Sequence, residues 1–498
     1  MPPSHSIEVE VKFDVAPGLP APDLSGLVAD GSAGQPETFL LEATYFDTPG
    51  TLLAKNRMTL RRRTGGTDAG WHLKRPSTVP SGRRETALGF DEVGHEDVPQ
   101  ALREQVLAVI RSEPLVPVAT ITTDRTVTTV HDAHGVALAE FCEDLVSAES
   151  LLPGGSVNRW AEWEFELVGE PAPEAAAKLL KRARRALQDA GASPASSVSK
   201  LARAIGTQPH DDLIRALPKK ATALGLVQFD LAAHRDALLT WDPIARENGD
   251  DAVHQMRVAT RKIRSILMSY PGVIAPEAAA PVAEELRLLA EVLGDARDRE
   301  VRLAANEHLL ASEDAPADLV AALIDDERAE HERALKSMRF ALSTPRYLRM
   351  LDDLDRLIDA PIPGHAASRE AREVASQAVG EAYARMIKAR KRLRKFSPWS
   401  PEWVEQLHTI RKRAKALRYT AESAEPLRRR SLERAGTEAK KVQTHLGVFQ
   451  DTVINRAHLA SLAADTSLSR EALFVLGRMD AREEARGRRA VKKYRRSQ

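Results

Sequence analysis

Alternating charged residues in the first 200 positions carry the types and spacing that could do chemistry together. Glu8, Glu10 and Lys12 alternate in IEVEVKF, and Glu162, Glu164 and Glu166 alternate in RWAEWEFELVG. Between these runs stand Arg61 and Arg63 in MTLRRR, His72 and Lys74 in GWHLKR, Arg125 in DRTVTTV, and Glu140, Cys142 and Asp144 in GVALAEFCED. Strand side chains point alternately to opposite faces, so each run has one charged face. Ile7, Val9, Val11 and Phe13 oppose the first run, and Ala161, Trp163, Phe165 and Leu167 oppose the last. One charged face is ordinarily the solvated side of an antiparallel sheet. Three glutamates on one strand face nonetheless repel unless cations lie among them, and the basic pairs occupy other strands. Clustered carboxylates bind Mg²⁺ or Mn²⁺ through oxygen. Arg and Lys neutralise phosphoryl oxygens, Arg with a planar fork and Lys as a point charge. Together they suit phosphoryl transfer, which needs positioning and charge neutralisation more than covalent chemistry.

The elements that must position these groups follow from the same alternation. The apolar faces carry Trp and Phe and need a core of their own, outside the charged faces. An antiparallel β-barrel with a polar lumen and an apolar exterior covered by helices satisfies both demands. EAAAKLLKRARRALQDAG then reads as a helix over about 172–190, with Gly191 as its stop. After Lys200 the texture changes to long helix-period runs of Ala, Leu, Arg and Glu. The fold class is therefore α+β multidomain: a barrel domain over 1–206, a linker over 207–214 around QPHDD, and an all-α domain over 215–498.

The helical part repeats itself. His254, Arg257, Arg261 and Arg264 are followed by Leu293-Gly294 and Asp298; His408, Arg411, Lys415 and Arg418 are followed by Leu446-Gly447 and Asp451. The basic residues stand three, seven and ten positions after the histidine in both copies. This is an internal duplication, with repeats of about 215–359 and 366–490 divided by APIPGH. On a helical wheel the first set spans about 80° of arc. Met256, Ile263, Ile266 and Leu267 lie opposite, so each copy offers a basic stripe and an apolar packing face. The first stripe carries none of the i+4 acids that normally balance a solvated helix, and the second only Glu422, four residues after Arg418. Further basic runs, ARMIKARKRLRK (384–395) and GRRAVKKYRRS (487–497), either extend this surface or are solvated.

The bulk numbers set the frame. A chain of 498 residues exceeds what one core usually serves. The formal charge of +1 hides an asymmetry: residues 1–207 hold 21 Lys+Arg against 28 Asp+Glu, and the rest hold 51 against 43. A basic half points to a polyanionic partner. One cysteine excludes an internal disulfide framework. MPPSHSIEVEVKF does not read as a signal peptide, and no apolar run approaches a membrane span. The expected location is the cytoplasm.

Over residues 5–205 the sequence resembles the CYTH family, the triphosphate tunnel metalloenzymes. The resemblance rests on E-x-E-x-K at Glu8, Glu10 and Lys12, the spaced arginines, WHLK, Arg125, the E-x-E-x-E strand and Lys200 in SVSKL. It implies hydrolysis of a small triphosphate, inorganic triphosphate foremost, with Mg²⁺ or Mn²⁺. Glu8, Glu10, Asp144, Glu162, Glu164 and Glu166 would serve the metal, and Lys12, Arg61, Arg63, Lys74, Arg83, Arg125 and Lys200 the triphosphate. Glu8, Glu10, Lys12 and Lys74 would be catalytic. Glu143 competes with Asp144, which the period from Glu140 favours. Arg84 competes with Arg83, which R-x-E spacing to Glu85 favours. Adenylate cyclases share this family, but nothing in the sequence identifies an adenine pocket. From about 215 to 490 the sequence resembles the CHAD domain, through VHQMRVATRKIRS and the looser LHTIRKRAKALRY. That resemblance implies inorganic polyphosphate bound by the two histidine-headed stripes, without catalysis, and polyphosphate granules as the place in the cytoplasm where such a surface would draw the chain. A polyphosphate-binding adaptor with an idle tunnel is the alternative, and clustered glutamates argue against it. Nucleic acid is disfavoured because the basic helices interleave aliphatic residues in place of stacking aromatics.

Overall fold

The computed structural model describes every residue except 1–3, 29, 78–81, 94–95, 170–171, 208–216, 312–313, 465–466 and 497–498. The expected linker therefore lies, from residue 208 on, outside the described residues. The chain divides into two compact units, Met1–Leu213 and Ile214–Gln498.

The first unit is a sheet of ten strands: β1 (Ser4–Val15), β2 (Ser32–Ala33), β3 (Glu37–Asp47), β4 (Thr59–Thr64), β5 (Gly70–Pro76), β6 (Gly82–Gly89), β7 (Val116–His131), β8 (Ala137–Ser150), β9 (Val157–Leu167) and β10 (Ser193–Pro194). Eight of them close on themselves in the order β1-β6-β5-β4-β3-β7-β8-β9, with β9 returning to β1, and every pairing is antiparallel. The barrel expected from alternation is thus present. Two of its strands, β3 and β6, lacked a legible period-2 pattern, and a register shift at Tyr45/Phe46 breaks the alternation of β3. Gly65, at φ +80°, turns the chain from β4 to β5 only 2.0 Å from the Leu40 carbonyl oxygen as measured from an ideal Cβ, a place no side chain fits.

Helices α1 (Leu52–Lys55), α2 (Phe90–Val93), α3 (Gln100–Ile110), α4 (Pro173–Asp189) and α5 (Lys200–Ile205) accompany the barrel. Phe13, Trp163 and Phe165 pack outward against Ala183 and Leu187 of α4. Leu60, Trp71 and Leu73 pack outward against Leu53 of α1 and Leu102, Val106 and Ile110 of α3. Val118, Ile121 and Trp160 share a third cluster with Leu201 and Ala204 of α5. Burying the first two clusters on the outside frees much of the inside for charge, while the third lies on the lumenal face, where Ile121 and Trp160 share their strand faces with Arg125 and Glu162. Ser199 caps α5, its Oγ accepting from Ala202 N–H at 3.1 Å, and this places Lys200 at the first helical position.

The second unit is all helical: α6 (Ala223–Arg246), α7 (Ala252–Ser269), α8 (Pro276–Leu310), α9 (Ala317–Val320), α10 (Asp326–Leu342), α11 (Pro345–Asp359), α12 (Ala371–Leu393), α13 (Pro401–Ser423), α14 (Arg430–Ala463) and α15 (Arg470–Arg496). The repeat is visible as α6-α7-α8 matched by α12-α13-α14, each helix packing on its successor, with α6 against α12 and α7 against α13 across the copies. Ser400 and Thr344 cap α13 and α11, each followed by proline at the first helical position. Among the described residues, no helix is long and apolar enough to cross a membrane.

Candidate active site and polyanion surface

Asp144 on β8 and Glu162 and Glu164 on β9 face the barrel lumen, buried, and offer oxygens that lie within 4.8 Å of one another. Lys200 Nζ stands among them, 2.8 Å from Asp144, 2.6 Å from Glu162 and 2.8 Å from Glu164. Arg125 on β7 donates from Nε to Asp144 at 2.7 Å and from an Nη to Glu164 at 2.5 Å. Lys12 on β1 also pairs with Glu164, across the β1–β9 register that sets the two residues opposite. Burial alone would push these carboxyls up. The cations win: Lys12, Lys200 and Arg125 hold Glu164 well below the usual carboxylate range, and Lys200 and Arg125 lower Asp144. Trp160 Nε1 donates to Glu162 at 2.5 Å, fixing that carboxylate from the outer end of β9.

A second acidic group lies further along β1. Glu8 pairs with Lys74 on β5 at 2.6 Å, Glu10 pairs with Lys12 at 3.0 Å, and Glu166 stands opposite Glu10. Burial pushes Glu8 up to about 8 against the pull of Lys74, with Glu85 and Glu166 adding repulsion. Burial also raises Glu166, which feels Glu10 and Glu164. Carboxylates crowded in this way are short of positive charge.

The basic wall faces both groups. Arg61 donates to Tyr45 Oη at 3.4 Å, while its Nε is buried without a hydrogen-bond partner among the described residues. Arg63 pairs with Asp68, and its Nε is likewise unpartnered. Arg83 donates to the Arg57 carbonyl at 2.9 Å and lies near enough to feel Glu10 and Glu8. Burial lowers both Arg63 and Arg83, with the neighbouring Arg61 adding to it. Buried guanidinium N–H groups pointing into a lumen are the donors an anion would satisfy.

All thirteen lumen residues expected from sequence fall on one side of the barrel wall. Asp144 is inside, whereas Glu143 stands opposite Trp163 on the outer face. Arg83 lies by the lumenal glutamates, and Arg84 pairs in register with Ile7 and Arg75. Sequence reasoning left out two members. Glu85 stands opposite Lys74 and accepts from His72 Nδ1 at 2.9 Å, and His72 Nε2 meets the Asp68 carbonyl at 2.9 Å. The signal was present, because His72 shares a face with Lys74 and Glu85 with Arg83.

In the helical unit the two stripes meet. Arg257 and Arg261 of α7, with Arg411 and Arg418 of α13, are the four cations acting most strongly on Lys415. Burial first, then these arginines, hold Lys415 down to about 7. Lys415 and Arg418 stand 5.9 and 5.8 Å from the Tyr419 ring centroid. Arg257 pairs with Asp298 at 2.8 Å. Its guanidinium lies 3.7 Å from where a Cβ on Gly294 would stand, and that of Arg411 lies 3.7 Å from the same point on Gly447. Of the repeated Leu-Gly pair, Leu293 and Leu446 are core, and a Cβ on either glycine would meet the guanidinium only in ordinary van der Waals contact. His408 Nδ1 meets Gln450 Oε1 at 2.9 Å, and His254 is lowered by burial, Arg297 and Arg257. Arg264 stands toward α8, near Glu284, which the hydrogen bond from Arg287 holds down first and Arg264 only secondarily.

A family model of the CYTH domain matches residues 6–203, and one of the CHAD domain matches residues 230–460. The chain is a CYTH–CHAD protein. It is 40% identical over 489 residues to the uncharacterized protein Rv2226 of Mycobacterium tuberculosis, covering 95% of this chain and 92% of that one. Among solved structures, PptA from Streptomyces chartreusis is similar at 16% identity, covering 56% of this chain and 99% of that chain, with a TM-score of 0.46. The CHAD domain from the plant Ricinus communis is similar at 22% identity, covering 58% and 96%, with a TM-score of 0.45. The CYTH unit is the one that holds the charged lumen, and the CHAD unit holds the paired stripes.

Proposed function

We propose that the CYTH unit hydrolyses a small triphosphate, inorganic triphosphate foremost, in its lumen with Mg²⁺ or Mn²⁺, and that the CHAD unit binds inorganic polyphosphate. The observation that carries the first half is a buried carboxylate triad sharing one cation-sized point, faced by arginines with unpartnered buried N–H groups. Lys200 already sits at that point, which tests the fit: three carboxylate oxygens converge there closely enough to hold positive charge. Asp144, Glu162 and Glu164 would hold a metal on that side, and Glu8, Glu10 and Glu166 on the other, where burial and neighbouring carboxylates raise Glu8 and Glu166 while Lys12 holds Glu10 down. Bound Mg²⁺ or Mn²⁺ supplies neutralisation of phosphoryl oxygens and a lower pKa for the attacking water.

The chain's own residues do the rest. Arg61, Arg63 and Arg83 bind and orient the phosphate chain with planar donors. Lys12, kept cationic by Glu164 and Glu10 despite burial, supplies fixed charge at the reacting end. Lys74, held between Glu8 at 2.6 Å and Glu85 at 4.0 Å, stabilises charge developing on the leaving group. The closed sheet excludes bulk water, which strengthens each of these terms.

The second half of the reading rests on convergence of two all-cationic stripes from separate copies onto Lys415. A polymer of closely spaced phosphates neutralises such a surface along its length. Phosphate release from inorganic triphosphate, thiamine triphosphate and ATP, with 3′,5′-cyclic nucleotide detection in the ATP arm, tests the substrate. Release from inorganic triphosphate should lead. A cyclic nucleotide as the main product would overturn hydrolysis in favour of cyclase chemistry.

A further inference from the structure

The three carboxylates of the lumenal triad have every oxygen engaged. Arg125 donates to both oxygens of Asp144, from Nε at 2.7 Å and from an Nη at 2.6 Å. Glu162 accepts from Lys200 on one oxygen at 2.6 Å and from Trp160 Nε1 on the other at 2.5 Å. Glu164 accepts from Lys200 at 2.8 Å and from Lys12 on one oxygen, and from Arg125 on the other at 2.5 Å. Lys200 also reaches Asp144, at 2.8 Å. Three carboxylates are thus matched by three cations, all from the chain itself.

Lys200 differs from the other two. Arg125 joins Asp144 to Glu164, and Lys12 joins Glu164 to Glu10. Among the described residues only Lys200 touches Asp144, Glu162 and Glu164 together. Its ammonium therefore stands where a metal held by those three would stand, and two cations cannot share contact with the same oxygens. The second acidic group is held differently. Lys74 pairs with Glu8 and Lys12 with Glu10, and Glu166 has no hydrogen bond or ion pair among the described residues.

The backbone does not carry Lys200 away from this point. Its helix, α5, is held by the Ser199 cap and by Leu201 and Ala204 in the third apolar cluster. Arg203 adds an ion pair to Asp14 at 2.6 Å and lies 4.7 Å from the Trp160 ring centroid. What can move is the side chain, a compact charge on a flexible four-carbon stem. Withdrawn alone, Lys200 would leave three buried carboxylates one charge short, which is costly. A polyanion in the lumen gives the ammonium new acceptors, and a metal ion restores the charge at the triad. The exchange keeps both sides paired only when the two arrive together.

We propose that Lys200 is a built-in counter-cation that keeps the triad closed to metal until a triphosphate draws it away, so that Asp144, Glu162 and Glu164 take up their metal only together with that anion. The anion's identity rests on the triphosphatase reading; the closure does not. Trp160 supplies a local readout, because its ring lies beside Glu162 and can sensitise emission from Tb³⁺, a hard ion that takes oxygen ligands. The full chain is titrated with Tb³⁺, and the emission lost in Trp160→Phe is the lumenal signal. Lys200→Met should lower the midpoint at least about tenfold, the scale of one charged hydrogen bond. Lys12→Met takes a charge from only one triad member and should lower it less. Sodium imidotriphosphate, whose bridges resist hydrolysis, should lower the midpoint of the unaltered chain, and that of Lys200→Met by less. Lys200→Gln repeats the test should Lys200→Met melt differently from the unaltered chain. An unmoved midpoint in the Lys200 variants, or an equal shift in Lys12→Met, overturns Lys200 as the occupant. An unaltered chain that imidotriphosphate does not shift overturns the exchange. Phosphate release, assayed in parallel, reports on the hydrolase reading by itself: its failure with the terbium shifts intact removes hydrolysis and keeps the exchange.

Discussion

Glu164 accepts from Lys12, Lys200 and Arg125 together, and among the described residues no other lumen carboxylate gathers three cations. Alternation placed Glu164 inside, because period 2 is a local property that one strand displays by itself. Lys200 could be named from SVSKL but its position at the centre of the triad could not, since 36 residues and a helix separate it from Glu164. His72 and Glu85 went unassigned for a related reason: their partnership crosses two strands, and only register reveals it. Glu10 stands between Lys12 and Glu166, so Glu10→Gln removes a ligand charge without changing volume. It should lower turnover at least about 100-fold, more than an outer partner of a metal ligand costs, with an unchanged melt. Phosphate release with Mg²⁺ at the unaltered rate would remove Glu10 from the site. Lys415 makes a pH prediction. A lysine depressed to about 7 binds fewer protons than the unfolded chain between there and its ordinary 10.5. Its cost to stability is thus complete below about 7 and fades as pH rises through that window. A bound polyanion offsets the arginines and returns the proton. Polyphosphate binding at pH 8 should therefore take up protons, read from calorimetric heats in buffers of different ionisation enthalpy, and Lys415→Met should remove the uptake. Identical uptake in that variant would assign it elsewhere.

At the scale of elements, α7 and α13 carry the same stripe because they are copies, and they face one another because α7 packs on α13. The offsets of three, seven and ten made each stripe legible. Their convergence was not, because nothing in a repeat states which faces of its copies meet. Arg264 shows the limit of the wheel, since a residue 80° from His254 can already turn toward the next helix. Arg261 and Lys415 occupy equivalent positions and lie within each other's field. Arg261→Glu and Lys415→Glu should each weaken long-chain polyphosphate, and the double variant should lose less than the two losses combined, since residues in one network do not add. Affinity should fall steeply with salt as counterions are released. Equal affinity in all four proteins would mean that the stripes are solvated faces. Among the strands, β3 and β6 stayed hidden: the Tyr45/Phe46 bulge breaks one pattern, and Arg83, Arg84 and Glu85 put charge on both faces of the other.

For the molecule as a whole, composition was informative only after division. A formal charge of +1 describes neither half, one of which builds a lumen of facing acids and bases and the other a basic stripe surface. The two chemistries should therefore separate with the chain. A segment of residues 1–206 should release phosphate from triphosphate, and one of residues 212–498 should bind polyphosphate without cleaving it. Cleavage by the helical segment, or an inert barrel segment with an intact melt, would contradict the division of labour. The central claim is that the lumen is a metal-dependent triphosphatase, and phosphate release from inorganic triphosphate by the full chain tests it most directly. Release should require Mg²⁺ or Mn²⁺, stop in EDTA, and fall at least about 100-fold in Glu164→Gln, which takes one charge from the buried triad. Release that persists in EDTA, or that Glu164→Gln leaves at its original rate, would contradict the account.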